Sequence, residues 1–168
     1  MKMRLRLAFV CAAALLAAAS AGAQTKLSGT LTCAKPDPQT ALPVGDHDGH
    51  ALVVMKSKCT WTKPLEVAGS QAKSGDDTTF SDVDGTRSRD SGYHLTTMTS
   101  GDTFEVRFSG TTVSTKDGKV QTQSGTWSFV RGTGKLKGIT GKGTYKGTGG
   151  PDDSVISDIE GEYQLAGR

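Results

Sequence analysis

After its first two dozen residues, the sequence has no sustained helical pattern. No segment of eleven or more residues there repeats apolar side chains at the i, i+3 and i+4 positions of an amphipathic helix. Common catalytic and phosphate-binding motifs are also missing: there is no G-x-S-x-G, no H-E-x-x-H and no phosphate-binding loop leading into a helix. The sequence therefore predicts neither a helical fold nor an active site of these types.

An excess of charge of either sign is missing as well. The chain has 20 Lys and Arg against 17 Asp and Glu, a formal net charge of +3. Lys2, Arg4 and Arg6 supply the whole excess, so the rest of the chain carries 17 charges of each sign. Binding to nucleic acid or to an acidic membrane surface needs surplus positive charge. We therefore predict neither kind of partner.

Long apolar runs are confined to the N-terminus. Residues 7–19 form an uncharged run that follows a short cationic stretch, and it is shorter than the roughly 20 residues that span a bilayer. Small residues come next, which completes the pattern of a secretory signal peptide with cleavage between Ala23 and Gln24. We therefore expect residues 1–23 to be removed. Residues 24–168 are expected to form one exported domain without a membrane anchor, in the periplasm or the extracellular medium.

Cysteine is scarce, and one of the three, Cys11, lies in the predicted leader. The remaining pair, Cys33 and Cys59, is an even count, which in an exported chain favours one disulfide. Each shares its parity with apolar neighbours, so both sulfurs are expected on the inner face of neighbouring strands. Such a link stabilises by roughly 3–4 kcal/mol. Free buried thiols and a catalytic thiol are the alternatives, but neither cysteine adjoins a His or an evident helix start.

What the sequence does contain is β structure. Gly, Thr and Ser dominate, and apolar and polar residues alternate at period two, as in Phe104, Val106 and Phe108. Turn-forming pairs such as Asp117-Gly118 separate the runs. We predict an all-β fold, a single small closed antiparallel barrel of about eight strands, with a β-sandwich as the alternative. The strands are predicted near residues 26–34, 50–62, 77–87, 92–99, 102–115, 119–131, 135–147 and 155–166.

Two segments between these strands are predicted to be irregular. Residues 34–49 hold three prolines and are expected to form an extended loop whose base the disulfide ties down. The run Ser74-Gly75-Asp76 is expected to be a turn.

A glycine-rich stretch, GTWSFVRGTGKLKGITGKGTYKG, covers residues 125–147. Glycine removes the side chain where a strand bends sharply or where two backbones approach closely. Leu136, Ile139 and Tyr145 are interleaved with the glycines. We therefore expect a kinked strand pair in which Gly138, Gly141 or Gly143 adopts positive φ or lacks room for a Cβ, rather than a surface loop.

The spacing in this stretch resembles the penultimate strands of the allene oxide cyclase and dirigent-like barrels, exported bacterial members included. The segments Cys59-Thr60-Trp61 and Gly49-His50 also resemble those members. The resemblance implies a small closed antiparallel barrel. The matching residues of the glycine pattern are Gly132, Gly134, Leu136, Gly138, Gly141 and Gly143.

The resemblance does not imply catalytic activity for this chain. The plant cyclases hold an acidic residue in a largely apolar cavity, but the first predicted strand, residues 26–34, has no carboxylate. The paired Asp residues and the Arg of dirigent proteins align with no position here. We assign no catalytic residue, because one scaffold hosts several functions.

Five large aromatic residues are predicted to lie inside the barrel. They either pack as its core or line a cavity for one small apolar ligand. His94 has the opposite parity to Tyr93, so it is predicted to face outward and to be exposed. The five residues are Trp61, Tyr93, Trp127, Phe129 and Tyr163.

The segment Asp46-His47-Asp48-Gly49-His50 is the densest cluster of metal-capable groups. Its two His and two carboxylates are suitable ligands for a transition metal. Zinc sites usually draw on separate elements, however, so a solvated loop is the favoured interpretation, and no metal or cofactor is predicted. Residues 82–85 resemble part of a calcium loop, but position twelve is Tyr93 instead of Glu, which favours a polar hairpin.

Three functions remain open from the sequence. The barrel binds a small apolar molecule without catalysis, or it is a cyclase or isomerase for a small hydrophobic substrate, or it acts through its outer surface as a homo-oligomer or partner-binding module. A purely apolar void favours the first, a void holding a buried carboxylate or His favours the second, and a filled interior favours the third.

Overall fold

The computed structural model describes residues 24–166. The predicted leader, residues 1–23, lies outside the described residues, so the structure does not test the predicted cleavage after Ala23. Within residues 24–166, ten strands follow one another, with two short 3₁₀ helices at Gly134–Leu136 and Pro151–Asp153. The strands are β1 Thr25–Cys33, β2 Gln39–Pro43, β3 His50–Lys63, β4 Glu66–Val67, β5 Ser70–Asp84, β6 Arg87–Met98, β7 Thr103–Ser114, β8 Val120–Gly132, β9 Thr140–Gly149 and β10 Val155–Gln164.

Eight of these strands close into an antiparallel barrel, which confirms the predicted fold. The order around the barrel is β3-β1-β10-β9-β8-β7-β6-β5, and β5 pairs with β3 again. This second pairing removes the free edges that a two-sheet sandwich would keep. The short strands β2 and β4 add to β3 and β5 outside the ring.

Strict alternation separates the inside of the barrel from the outside. On β7, for example, Phe104 and Val106 are buried, while Arg107 between Val106 and Phe108 is exposed. One end of the barrel is plugged by buried apolar side chains from the connections and strand ends. These are Leu65, Val67, Met98, Leu136 and Ile139. No helix within residues 24–166 is long and apolar enough to cross a membrane.

The predicted disulfide between Cys33 and Cys59 is present. The two residues are direct partners on β1 and β3, with Cα atoms 4.0 Å apart. Cys59 is buried in the core, and Cys33 packs against it. The disulfide thus links the last pair of a short ladder that runs only from Thr30 to Cys33 on β1.

The structure departs from the predicted strands in three places. The expected turn at residues 74–76 lies inside β5, which begins at Ser70. The expected loop at residues 34–49 contains β2, which pairs with β3. The predicted strand at residues 135–147 starts late, because the 3₁₀ turn Gly134–Leu136 occupies its beginning and β9 runs from Thr140.

The expectation for the glycines themselves is confirmed. Gly138 and Gly141 have φ of +77° and +144°, values that side chains with a Cβ rarely adopt. Gly143 lies beneath the Trp127 ring, where a Cβ would come within 2.4 Å of Trp127 Cζ2. The glycine pattern therefore reflects two local backbone conformations and one close packing contact.

Candidate functional site in the barrel interior

The barrel contains a cavity of about 960 Å³ that is open toward one rim, within the 300–1,000 Å³ typical of small-molecule sites. The plugged end closes it below. Above, its walls reach the turns after β5, β7 and β9, including Thr86, Gly118 and Gly150. The interior is therefore a chamber whose far end is formed by turns at the barrel rim.

The lower half of the chamber is apolar and aromatic. Phe129 meets Phe104 and Trp127 edge-on, with ring centroids 5.2 Å apart in both pairs, a favourable geometry for aromatic rings. Phe108 and Tyr145 meet in the same way at 6.2 Å. Aliphatic side chains complete the surface. The apolar lining residues in this half are Leu27, Leu31, Trp61, Leu65, Phe104, Val106, Phe108, Trp127, Phe129 and Ile159.

A histidine and a carboxylate lie together on the cavity wall. Asp77 on β5 and His94 on β6 are direct partners in the ladder, so both side chains point inward. His94 Nδ1 donates to Asp77 Oδ1 at 2.7 Å, and the His94 residue is only 5% exposed. The other carboxylate oxygen, Asp77 Oδ2, lies 3.8 Å from the Cys33 sulfur. The pairing register of β5 and β6 thus places His94 and Asp77 side by side.

The tautomer of His94 follows from this contact. For the neutral ring, a carboxylate at Nδ1 selects the tautomer with its proton on Nδ1, which leaves a lone pair on Nε2. Nε2 is buried and has no hydrogen-bond partner within residues 24–166. Trp61 meets His94 edge-on at 6.1 Å, and its buried Nε1 is also unpartnered among these residues. Both residues line the chamber, but these two nitrogens are themselves shielded from it, and Nε2 lies against the β5 backbone at Gly75.

A second carboxylate lies closer to the rim. Asp90 accepts hydrogen bonds from Ser88 Oγ at 2.8 Å and from Thr112 Oγ1 at 2.6 Å. Burial, with smaller contributions from Asp90 and Asp77, raises the pKa of the Tyr145 phenol well above its usual value. Asp90 thus adds a carboxylate near the rim, and the Tyr145 phenol stays neutral at ordinary pH.

Three of the five predicted aromatic residues line the cavity, namely Trp61, Trp127 and Phe129. Tyr163 is buried in the core outside the lining, and its hydroxyl accepts from the Ala68 amide at 3.2 Å. The placement of Tyr93 inside was wrong, since this side chain is on the outer surface and 47% exposed. Whether the three lining residues bind a ligand stays a prediction.

The prediction that His94 faces outward was wrong, because the wrong face of its strand was assigned to the barrel interior. The parity argument was correct, since His94 and Tyr93 do face opposite sides. However, the large residues of β6 point out, and the inward positions hold His94, Thr96 and Met98 with Gly92. Burial of Thr96 and Met98 at the same parity shows which face of β6 is inward, but in the sequence only the apolar Met98 indicates it.

The outer surface carries an exposed apolar strip on β2, β3 and β5. Leu42 pairs with Leu52 across β2 and β3, and Val54 pairs with Phe80 across β3 and β5. These four side chains are 38–64% exposed. The strip is compatible with the homo-oligomer alternative, which stays a prediction.

The comparisons with known proteins add little to this geometry. No protein-family model matches the sequence, and no curated protein does. Among solved structures, the chain is similar to a pterocarpan synthase dirigent protein, GePTS1, with a TM-score of 0.49 and 12% sequence identity. The match covers 86% of this chain and 92% of that one. We draw no functional conclusion from a likeness of this degree.

Proposed function

We propose that this protein is an exported barrel that binds a small molecule with an apolar body and at least one hydrogen-bonding group. The observation that carries the proposal is the chamber itself, whose wall combines aromatic rings with polar side chains, among them Asp77, Thr79 and Asp90. Hydrogen bonds to such polar groups orient a ligand, while its apolar body packs on the aromatic rings. The disulfide agrees with export, because such links persist in oxidising compartments.

The polar atoms restrict the chemistry of the ligand. Ionised carboxylates only accept hydrogen bonds, and the Thr79 hydroxyl both donates and accepts. A ligand hydroxyl group matches both kinds of partner, since it donates to a carboxylate and can exchange hydrogen bonds with a hydroxyl. Asp77 and Asp90 also line the chamber, and their carboxylates repel anions. We therefore propose a neutral ligand with a hydroxyl group, such as a phenol or an apolar alcohol.

The His94–Asp77 pair favours a second candidate, a cyclase or isomerase. Asp77 orients the imidazole and stabilises the imidazolium that forms when Nε2 takes a proton, which is the arrangement of a general base. A void holding a buried His and carboxylate is the feature that distinguishes this candidate from simple binding. Under it, a shift of the His94 ring away from Gly75 brings Nε2 to the cavity, where it moves a proton on the bound molecule, and the aromatic rings position that molecule.

Binding is tested by tryptophan fluorescence. The sequence has two tryptophans, and both line the cavity, so an apolar fluorophore such as N-phenylnaphthylamine should quench them by energy transfer. Thr79 points into the cavity and Thr78 points out on the same strand. Thr79→Phe should weaken probe binding about tenfold, the equivalent of about 1.4 kcal/mol, which lies within the usual cost of overfilling a packed site, and Thr78→Phe should not. Equal binding by both variants would contradict the proposal.

Catalysis is tested on the natural ligand. Native mass spectrometry of protein purified from its own host identifies a molecule that co-purifies, and this molecule is then incubated with the protein in D₂O. The second candidate predicts deuterium uptake or isomerisation that is lost in His94→Gln and reduced in Asp77→Asn. Binding without any exchange supports the first candidate alone.

A further inference from the structure

The loop between β2 and β3 is held firmly against the rim of the barrel, outside the cavity. Its backbone is fixed at both ends, because the Val44 amide donates to the His50 carbonyl at 3.0 Å and the Gly85 amide donates to the Gly49 carbonyl at 3.1 Å. Gly45 and Gly49 both have φ of +84°, which allows the tight path. The side chains of this loop therefore have a defined position relative to β5.

Two imidazoles of this segment converge on one carboxylate. His50 Nδ1 lies 2.7 and 2.8 Å from the two oxygens of Asp46, and His47 Nδ1 lies 3.1 Å from Asp46 Oδ2. The two rings are stacked, with centroids 4.9 Å apart. Three potential ligand atoms from three side chains thus face one point, and all lie within 4.8 Å of one another.

The opposite nitrogens of both rings are held by carboxylates from a different element. His47 Nε2 contacts Asp84 Oδ1 at 3.1 Å, and His50 Nε2 contacts Asp82 Oδ1 at 3.0 Å. Both aspartates lie on the outer face at the end of β5. Metal-ligating histidines commonly donate their second N–H to a carboxylate in this way, which fixes the ring and its tautomer. Asp82 and Asp84 therefore orient both Nδ1 atoms toward Asp46.

We propose that Asp46, His47 and His50 bind one divalent transition-metal ion at the outer rim, with Asp82 and Asp84 as positioning residues. Two imidazoles and one carboxylate suit Zn²⁺, Ni²⁺ or Cu²⁺ better than Ca²⁺ or Mg²⁺, which prefer oxygen ligands. With neutral imidazoles, three carboxylates and the ion, the cluster carries one net negative charge. Three protein ligands leave a coordination position open to water or an exogenous ligand.

The argument that favoured a solvated loop from the sequence is answered by the fold. That argument noted that zinc sites usually draw on separate elements. Here Asp46 and His47 lie on the loop, His50 begins β3, and the two orienting aspartates come from β5. The metal site goes beyond the proposed function, because its residues lie outside the cavity wall. Failure of one proposal therefore leaves the other standing.

The test is Zn²⁺ binding by tag-free protein, measured by equilibrium dialysis and by the visible absorption of bound Co²⁺. We expect one ion per chain, and loss of that site in His47→Gln and His50→Gln. Asp82→Asn keeps all three ligands and should weaken Zn²⁺ affinity roughly 10–100-fold, the usual effect of losing such an orienting partner. Asp46→Asn should weaken binding strongly, whereas Asp48→Asn, the same change two residues away, should not.

Circular dichroism separates loss of the site from loss of the fold. The proposal is overturned if wild-type protein shows no saturable Zn²⁺ binding in the micromolar range. It is equally overturned if folded His47→Gln or His50→Gln binds the ion as tightly as wild type. Should both histidine variants fail to fold, Asp82→Asn decides, because unchanged affinity in that variant removes the positioning role on which the site depends.

Discussion

Gly143 on β9 provides a sharp test of how the barrel interior is packed. A Cβ at this position would lie 2.0 Å from the Glu160 carbonyl oxygen and 2.4 Å from Trp127 Cζ2, whereas ordinary van der Waals contact begins at 3.4 Å. The carbonyl belongs to the paired strand β10, so no side-chain rotation relieves the contact. Gly143→Val therefore forces either the strand or the indole ring to move.

The size of the effect follows from two opposing contributions. Overpacking of a tight core costs about 1–3 kcal/mol or more, and a contact with backbone belongs at the upper end of this range. Valine is the better strand former, but that preference amounts to about 1 kcal/mol at most. We expect Gly143→Val to lower the free energy of unfolding by about 2 kcal/mol, which corresponds to a fall in Tm of roughly 5–10 °C for a domain of this size.

Urea denaturation followed by circular dichroism measures this change. Thr144→Val is the matched control, because Thr144 is the exposed neighbour on the same strand and its substitution should be nearly neutral. Gly161→Val should resemble Gly143→Val, since its Cβ would lie 2.4 Å from the same Trp127 atom. If Gly143→Val proves neutral or stabilising, the close packing of the ring on these two glycines is refuted.

Three further predictions concern other parts of the chain. The disulfide between Cys33 and Cys59 closes a separation of 26 residues and should stabilise the fold by about 3.5 kcal/mol. The double variant Cys33→Ala with Cys59→Ala should therefore have a Tm lower by roughly 10 °C. An unchanged Tm would contradict the chain-entropy argument. The raised pKa of Tyr145 means that its neutral phenol stabilises the fold below the ordinary tyrosine pKa and that this stability is lost as pH rises above it. Spectroscopic titration of tyrosinate should accordingly find one of the three tyrosines ionising late, and Tyr145→Phe should abolish this late step only. The exported protein should begin at Gln24, which N-terminal sequencing checks, and a retained leader would contradict the predicted cleavage.

The strands were predictable because their period-two pattern survives in the sequence. Phe104, Val106 and Phe108 alternate with polar residues, and Asp117-Gly118 marks the following turn. The disulfide was predictable for the same reason, since the parity of Cys33 and Cys59 places both on inner faces. These signals are local, and each depends only on neighbours along one strand.

The interior of β5 and β6 was not predictable, because it depends on contacts between strands. Gly75 looks like a turn residue, but a Cβ there would lie 2.3 Å from His94 Nε2. The glycine therefore makes room for the imidazole of the neighbouring strand within a continuous β5. Tyr93 was predicted to face inward because its side chain is large. In the structure, the inward positions of β6 hold His94 and smaller residues.

The metal-capable cluster was also only partly predictable from the sequence. The sequence displays Asp46, His47 and His50 together, but nothing along the chain shows that Asp82 and Asp84 join them. The pairing of His50 with Asp84 across β3 and β5 brings the two parts together. His50 and Asp82 are more than thirty residues apart in the sequence. Only the strand register places the aspartates of β5 beside the histidines and so orients the ligands.

The position of β1 between β3 and β10 has a consequence for the order in which the barrel forms. The first and last strands of the described chain are neighbours, so the ring stays incomplete until the final segment has emerged during synthesis or export. Cys33 and Cys59 are available much earlier, and their bond holds β1 beside β3 while β1 waits for β10. A chain that ends before β10 exposes the hydrogen-bonding edges of both β1 and β9, and such edges recruit other strands. Premature termination by a dozen residues is therefore expected to yield an aggregating product, even though most of the barrel sequence is present.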